Sequence, residues 1–121
     1  MSNTNYDKNN IFAKIIRKEA KADVIFESKH ILCIKDIFPK APVHILIIPK
    51  GQFKDIFDFS INATAEEKTA IYDGIAKVIH IFDLSLGGCR IISNCGNHGR
   101  QEVPHLHFHL LGGKDIGPMI S

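Results

Sequence analysis

The chain has 121 residues, of which 45% are hydrophobic and 23% charged, and carries a formal net charge of +2. These values describe one compact domain with its own core, too short for two, and they exclude an extensively disordered chain. The small charge comes from scattered basic residues and leaves no footprint for nucleic acid, and no stretch approaches the roughly 20 apolar residues of a membrane span.

The start of the chain, polar from Met1 to Asn10, lacks the apolar core of a signal peptide, so the expectation is a soluble cytoplasmic protein. Residues 1–9 read as a flexible N-terminus ahead of a single domain spanning 10–121. Cys33, Cys89 and Cys95 are odd in number and form no CxxC pair, which fits reduced thiols rather than a disulfide framework.

In chain order, "NNIFAKIIRKEA" sets Ile11, Phe12, Ile15 and Ile16 on one stripe of a short helix, with an asparagine to cap it. "DVIFES", "HILCIKD" and "VHILIIPK" follow as three strands, the last two separated by "DIFPKAP", which Pro39 and Pro42 stiffen. "TAEEKTAIYDGIAKVIHIF" opens with Thr64 and Glu67 in capping-box spacing and places Ile71, Ile75, Val78, Ile79 and Phe82 on one helical face. "CRIISNC" and "PHLHFHLLGG" read as two closing strands joined by the loop "GNHGRQEV". Strands broken by one long helix predict an α+β domain in which helix covers an antiparallel sheet.

The last strand concentrates the chemistry. On a strand, His105, His107 and His109 share one face while Leu106, Phe108 and Leu110 take the other. On a helix the rings would turn by roughly 200° at each step of two and could not converge. Two chemistries use such a stripe. Neutral imidazoles bind zinc, for which Cys95, His98 and His44 are the candidates to complete a site. Alternatively, one ring is a nucleophile toward phosphorus and its neighbours manage protons and phosphate oxygens without a metal. The middle ring, His107, alone has a histidine on each side, and a strand carbonyl can hold its second nitrogen's proton. Pairing this strand with "RIISN" brings Asn94, Gly96, Gly99 and Gln101 over the histidine face, where clustered amides can cradle a phosphate. Asp36, ending an apolar strand before a rigid turn, suits the rim of a pocket and can pair with a cis-diol.

"HLHFHLLGG" resembles the histidine triad pattern, and "IFAKIIRKEA", "IKDIFPKAPVHILIIPK" and "SNCGNHGRQEVPHLHFHLLGGKDIGPM" are similar to the corresponding stretches of that family's nucleotide-binding branch. This branch comprises the purine nucleoside phosphoramidases, and the likeness is greatest to bacterial ones, over roughly residues 10 to 119. The resemblance implies a five-stranded antiparallel sheet with one long and one short helix, extended across a homodimer. It implies hydrolysis of P–N bonds through a nucleotidyl-histidine intermediate, with no metal or other cofactor. His107 would be the nucleophile, with His109, His105 and His44 in its supporting network. Asn94 and the loop amides near Gln101 would bind the phosphate, Asp36 the ribose, and Ile11, Phe12, Ile15, Ile34 and Ile37 the purine. Arg100 stands where the family usually has glycine, and Glu102 where animal relatives carry a serine that supports the leaving group. Two other functions remain open: a nucleotide-binding interaction protein with incidental catalysis, and a dinucleoside polyphosphate hydrolase.

Overall fold

The computed structural model describes residues 5–120. Its element order is α1 (Ile11–Ile16), β1 (Val24–Glu27), β2 (Ile31–Lys35), β3 (Val43–Pro49), α2 (Ile56–Asn62), α3 (Ala65–Ile81), β4 (Cys89–Ile92) and β5 (Phe108–Gly112). The strands form one five-stranded sheet in the order β1-β2-β3-β5-β4, and every neighbouring pair is antiparallel.

Alternation along the strands divides the apolar residues between two faces. Ile31 and Cys33 of β2, Ile45 and Ile47 of β3, and Leu110 of β5 join Leu106 beneath α3, packing with its Ile71 and Val78. The intervening residues Leu32, Ile34, Leu46 and Ile48 face α1 and pack against Phe12. α3 begins as its capping box predicts: Glu67 N–H donates to Thr64 Oγ1 at 3.0 Å, and Thr64 N–H donates to Glu67 Oε1 at 2.9 Å. Within this helix Gly74 lies so close to the sheet that a β-carbon there would meet Ile31 Cδ1 at 2.2 Å.

Three features lie outside the elements anticipated from sequence. Residues 56–62, unassigned above, form α2, whose N-cap Asp55 accepts from Asp58 N–H at 2.8 Å. Residues 1–4 of the N-terminal stretch lie outside the described residues, whereas Tyr6, within the same stretch, is buried at 7% exposure. The third concerns the histidine strand. β5 begins only at Phe108, so His109 alone of the three histidines belongs to it, and His105 and His107 occupy the segment leading in. The ladder with β3 stops because Pro49 has no N–H to offer and its carbonyl is taken by the His105 ring, while Leu106 N–H donates to Phe53. The two-residue alternation survives this break: Leu106 and Leu110 sit under α3, and the histidines stand on the α1 side.

Cys33, Cys89 and Cys95 are free thiols, and burial pushes that of Cys33 up to about 12. Among the described residues no helix is long and apolar enough to cross a membrane.

Candidate functional site

On the α1 side, β3, β5 and the loops after β2 and β4 enclose an open cavity of about 560 Å³. His44, Leu46, His109 and Leu111 reach it by strand alternation, since Leu46 pairs with His109 and His44 with Leu111 across the β3–β5 ladder. Phe12 comes from α1, and Asp36, Phe38 and Lys40 from the turn after β2. Ile92, Asn94, Arg100, Glu102, Val103 and His107 complete the wall.

Hydrogen bonds fix the proton on each ring. His107 Nδ1 lies 2.7 Å from the His105 carbonyl, which can only accept, so Nδ1 carries the proton and Nε2 keeps its lone pair. His107 is 6% exposed, and burial holds its pKa below the ordinary imidazole value, so the ring is neutral near pH 7. Phe12 packs edge-on against it, with centroids 4.8 Å apart. Ser93 Oγ donates to the His107 backbone carbonyl at 3.2 Å.

Lys40 N–H donates to His44 Nδ1 at 3.0 Å, which leaves the His44 proton on Nε2. That atom is 2.9 Å from His109 Nδ1 and 3.3 Å from Asp36 Oδ2. Donation to His109 Nδ1 places the His109 proton on Nε2. Burial, together with the neighbouring His107 and His44, pushes His109 down to about 4, and burial also lowers His44 against the opposing pull of Asp36. Asp36 Oδ1 accepts from Phe38 N–H at 2.7 Å, which orients the carboxylate.

His105 is fully buried and does not line the cavity. Its Nε2–H donates to the Pro49 carbonyl at 2.8 Å, and Nδ1 accepts from the Tyr6 hydroxyl, which in turn accepts from Asn10 Nδ2 at 3.0 Å. Burial pushes His105 down to about 4. Tyr6, itself held by Asn10, therefore anchors the residue whose backbone carbonyl aims the His107 imidazole.

The remaining residues singled out from sequence fall into distinct places. Asn94 lines the cavity and donates to the Gly99 carbonyl at 2.6 Å. Gln101 instead ties the loop down: its Nε2 donates to the carbonyls of Lys54 at 2.7 Å and Val103 at 3.0 Å, and its Oε1 accepts from Gly96 N–H at 3.1 Å. The backbone N–H groups of Arg100 and Gln101 donate to Asn97 and Gly96 within the loop. Of the five apolar candidates, Phe12 lines the cavity, Ile34 and Ile15 belong to the cluster behind it, and Ile11 and Ile37 are exposed at 47% and 81%. Leu46 and Leu111 were absent from the sequence candidates, although a step of two from His44 and His109 predicts them.

One potential ligand atom each from Asp36, His44 and His109 lie within 4.8 Å of one another, a grouping able to hold a metal ion. Cys95 and His98, the other zinc candidates, are not in that group.

The HIT domain family profile matches residues 17–116. The purine nucleoside phosphoramidase of Escherichia coli K12 is 40% identical over 114 residues, covering 92% of each chain. An uncharacterized 13.2 kDa HIT-like protein of Azospirillum brasilense is 45% identical over 116 residues, covering 96% of this chain and 95% of its own. Among solved structures, a HIT family hydrolase from Clostridium thermocellum superposes with a TM-score of 0.86 at 39% identity, covering 95% of this chain and 99% of that one. A second HIT family hydrolase, from Legionella pneumophila, gives 0.82 at 41% identity, covering 88% and 95%. The chain belongs to the HIT domain family.

Proposed function

We propose that this HIT protein hydrolyses the P–N bond of purine nucleoside phosphoramidates, such as adenosine 5′-phosphoramidate and aminoacyl adenylate-like compounds, through a nucleotide covalently held on His107. One observation carries the reading: His107 is neutral, its Nδ1 proton is occupied by the His105 carbonyl, and Nε2 is left with a lone pair at a cavity wall. Further support comes from the phosphoramidase at 40% identity.

In the first step Nε2 attacks the α-phosphorus and forms an N–P bond as the substrate's own P–N bond breaks. The departing nitrogen keeps the bonding pair, takes a proton relayed from solvent and leaves as an amine. Water then attacks phosphorus, the bond to His107 breaks with its pair returning to Nε2, and a proton goes back to solvent. His109 Nε2–H, set by the His44 relay, donates to a phosphate oxygen as charge builds there. Asp36 receives the ribose hydroxyls, Asn94 the phosphate, and Phe12 meets the purine. Glu102, whose charge is felt at His107, handles the departing nitrogen. Alkaline capture of the adduct tests the reading, because a P–N bond to histidine survives base and is lost in acid: after rapid alkaline quenching, the adenylate is expected on the peptide containing His107. Exhaustive chelation is expected to leave the rate unchanged, and a loss reversed by zinc would assign Asp36, His44 and His109 to a metal instead.

The reading includes a homodimer built on β4. Among the described residues this strand pairs on one side only, with β5, which leaves its other edge open. Beside it Ile91 is 42% exposed, and Ile56, Phe59, Ile71, Tyr72 and Phe108 help line an apolar cavity of about 340 Å³. A second copy adding its β4 would continue the sheet and cover these side chains. Sedimentation is expected to give a dimer for the parent and a monomer for Ile91→Asp; a parent that sediments as a monomer at micromolar concentration removes the dimer.

A further inference from the structure

Among the described residues three non-glycine residues have left-handed backbones: Lys18, Asp83 and Arg100, at φ 66°, 57° and 61°. Lys18 and Asp83 follow the C-cap residues Arg17 and Phe82 of α1 and α3, where such a conformation commonly closes a helix. Arg100 follows no helix. It sits in the β4–β5 loop, in a conformation that glycine adopts freely and a β-carbon disfavours. Its backbone is held there by Arg100 N–H to Asn97 O and Gln101 N–H to Gly96 O, both at 3.1 Å, and by the Gln101 carboxamide.

The side chain carried on this strained backbone is also unlike its counterparts. Of the chain's three arginines, Arg17 binds Glu19 and Arg90 donates to the carbonyls of Gly117 and Pro118. Arg100 makes no ion pair or side-chain hydrogen bond among the described residues, although Glu102, two positions on, lines the same cavity. An unpaired guanidinium at a cavity wall is a ready acceptor of a carboxylate, which it can grip with two parallel N–H groups. The charge felt at His107 from this stretch is the negative one of Glu102, which suits the departing nitrogen. Arg100 offers the opposite charge, complementary to an acid group attached to that nitrogen.

We infer that Arg100 is a specificity residue that selects phosphoramidates whose leaving amine bears a carboxylate over those whose leaving amine is neutral. The inference rests on the phosphoramidase reading above and names the leaving-group class within it. The test compares two adenosine phosphoramidates of nearly equal size, one made with alanine and one with alaninamide, on the parent, Arg100→Gly and Arg100→Lys. The parent is expected to prefer the alanine compound about tenfold in kcat/KM, in keeping with one charge-assisted contact. Arg100→Gly, which suits the left-handed backbone, is expected to lose that preference through the alanine compound alone, and Arg100→Lys to keep part of it. An equal fall on both compounds would assign Arg100 to the phosphate they share and overturn the inference. So would a parent that cleaves both without preference. A parent inert toward both compounds overturns the phosphoramidase reading, and this inference falls with it.

Discussion

Replacing His107 by alanine is expected to lower kcat on adenosine 5′-phosphoramidate by about ten-thousand-fold or more, the scale seen when a covalent nucleophile is removed. The affinity for adenosine monophosphate is expected to change by less than about tenfold, because cavity contacts other than the ring remain. The fold should tolerate the change. His107 borders an open cavity, so water can reach the His105 carbonyl that loses its donor. Steady-state kinetics and calorimetric titration with the nucleotide measure the two quantities on one preparation. A variant that releases amine at the parent rate would remove His107 as the nucleophile and with it the covalent mechanism.

Stability is expected to fall steeply as pH drops from 6.5 to about 5, before most carboxylates titrate. His105, with an ordinary value of 6.5 in the unfolded chain, is held to about 4 by burial in the fold. Below pH 6.5 the unfolded chain therefore binds a proton that the folded chain refuses, and acid favours unfolding. From pH 6.5 to about 5 this single ring accounts for about 2 kcal/mol. His44, His107 and His109 are shifted the same way and for the same first cause, desolvation. The full contribution is present above pH 6.5 and is lost progressively toward pH 4. Urea unfolding at pH 7, 6 and 5 measures it, and a flat midpoint would mean that the rings take up protons without leaving their sites.

Much of this architecture can be read from local pattern, and the exceptions have physical causes. α3 was legible because Thr64 and Glu67 satisfy each other's backbone within one turn and the apolar stripe repeats over 17 residues. β2 and β3 were legible as unbroken isoleucine-rich runs between turns. α2 was missed because seven residues carry barely two turns of periodicity, although Asp55 and Asp58 supply its cap. The alternation of the histidines was correct as a division of faces, but alternation cannot report where a ladder ends, and Pro49 ends this one. Nothing local connects Tyr6 to His105, 99 positions away, so a polar N-terminus concealed part of the scaffold beneath His107. Gln101 shows the converse: its type and position suit a ligand contact, yet its amide is spent on Lys54 and Val103.

The partner of His107 Nδ1 is a peptide oxygen, not a carboxylate, and in the proposed mechanism this shapes the fate of the adduct. Once Nε2 carries phosphorus, the ring becomes an imidazolium. A carboxylate in that position could withdraw the Nδ1 hydrogen and leave an inert, uncharged phosphoryl-imidazole, but an amide oxygen is far too weak a base to do so. The captured nucleotide thus stays attached to an electron-poor leaving group, primed for release to the first well-aimed water.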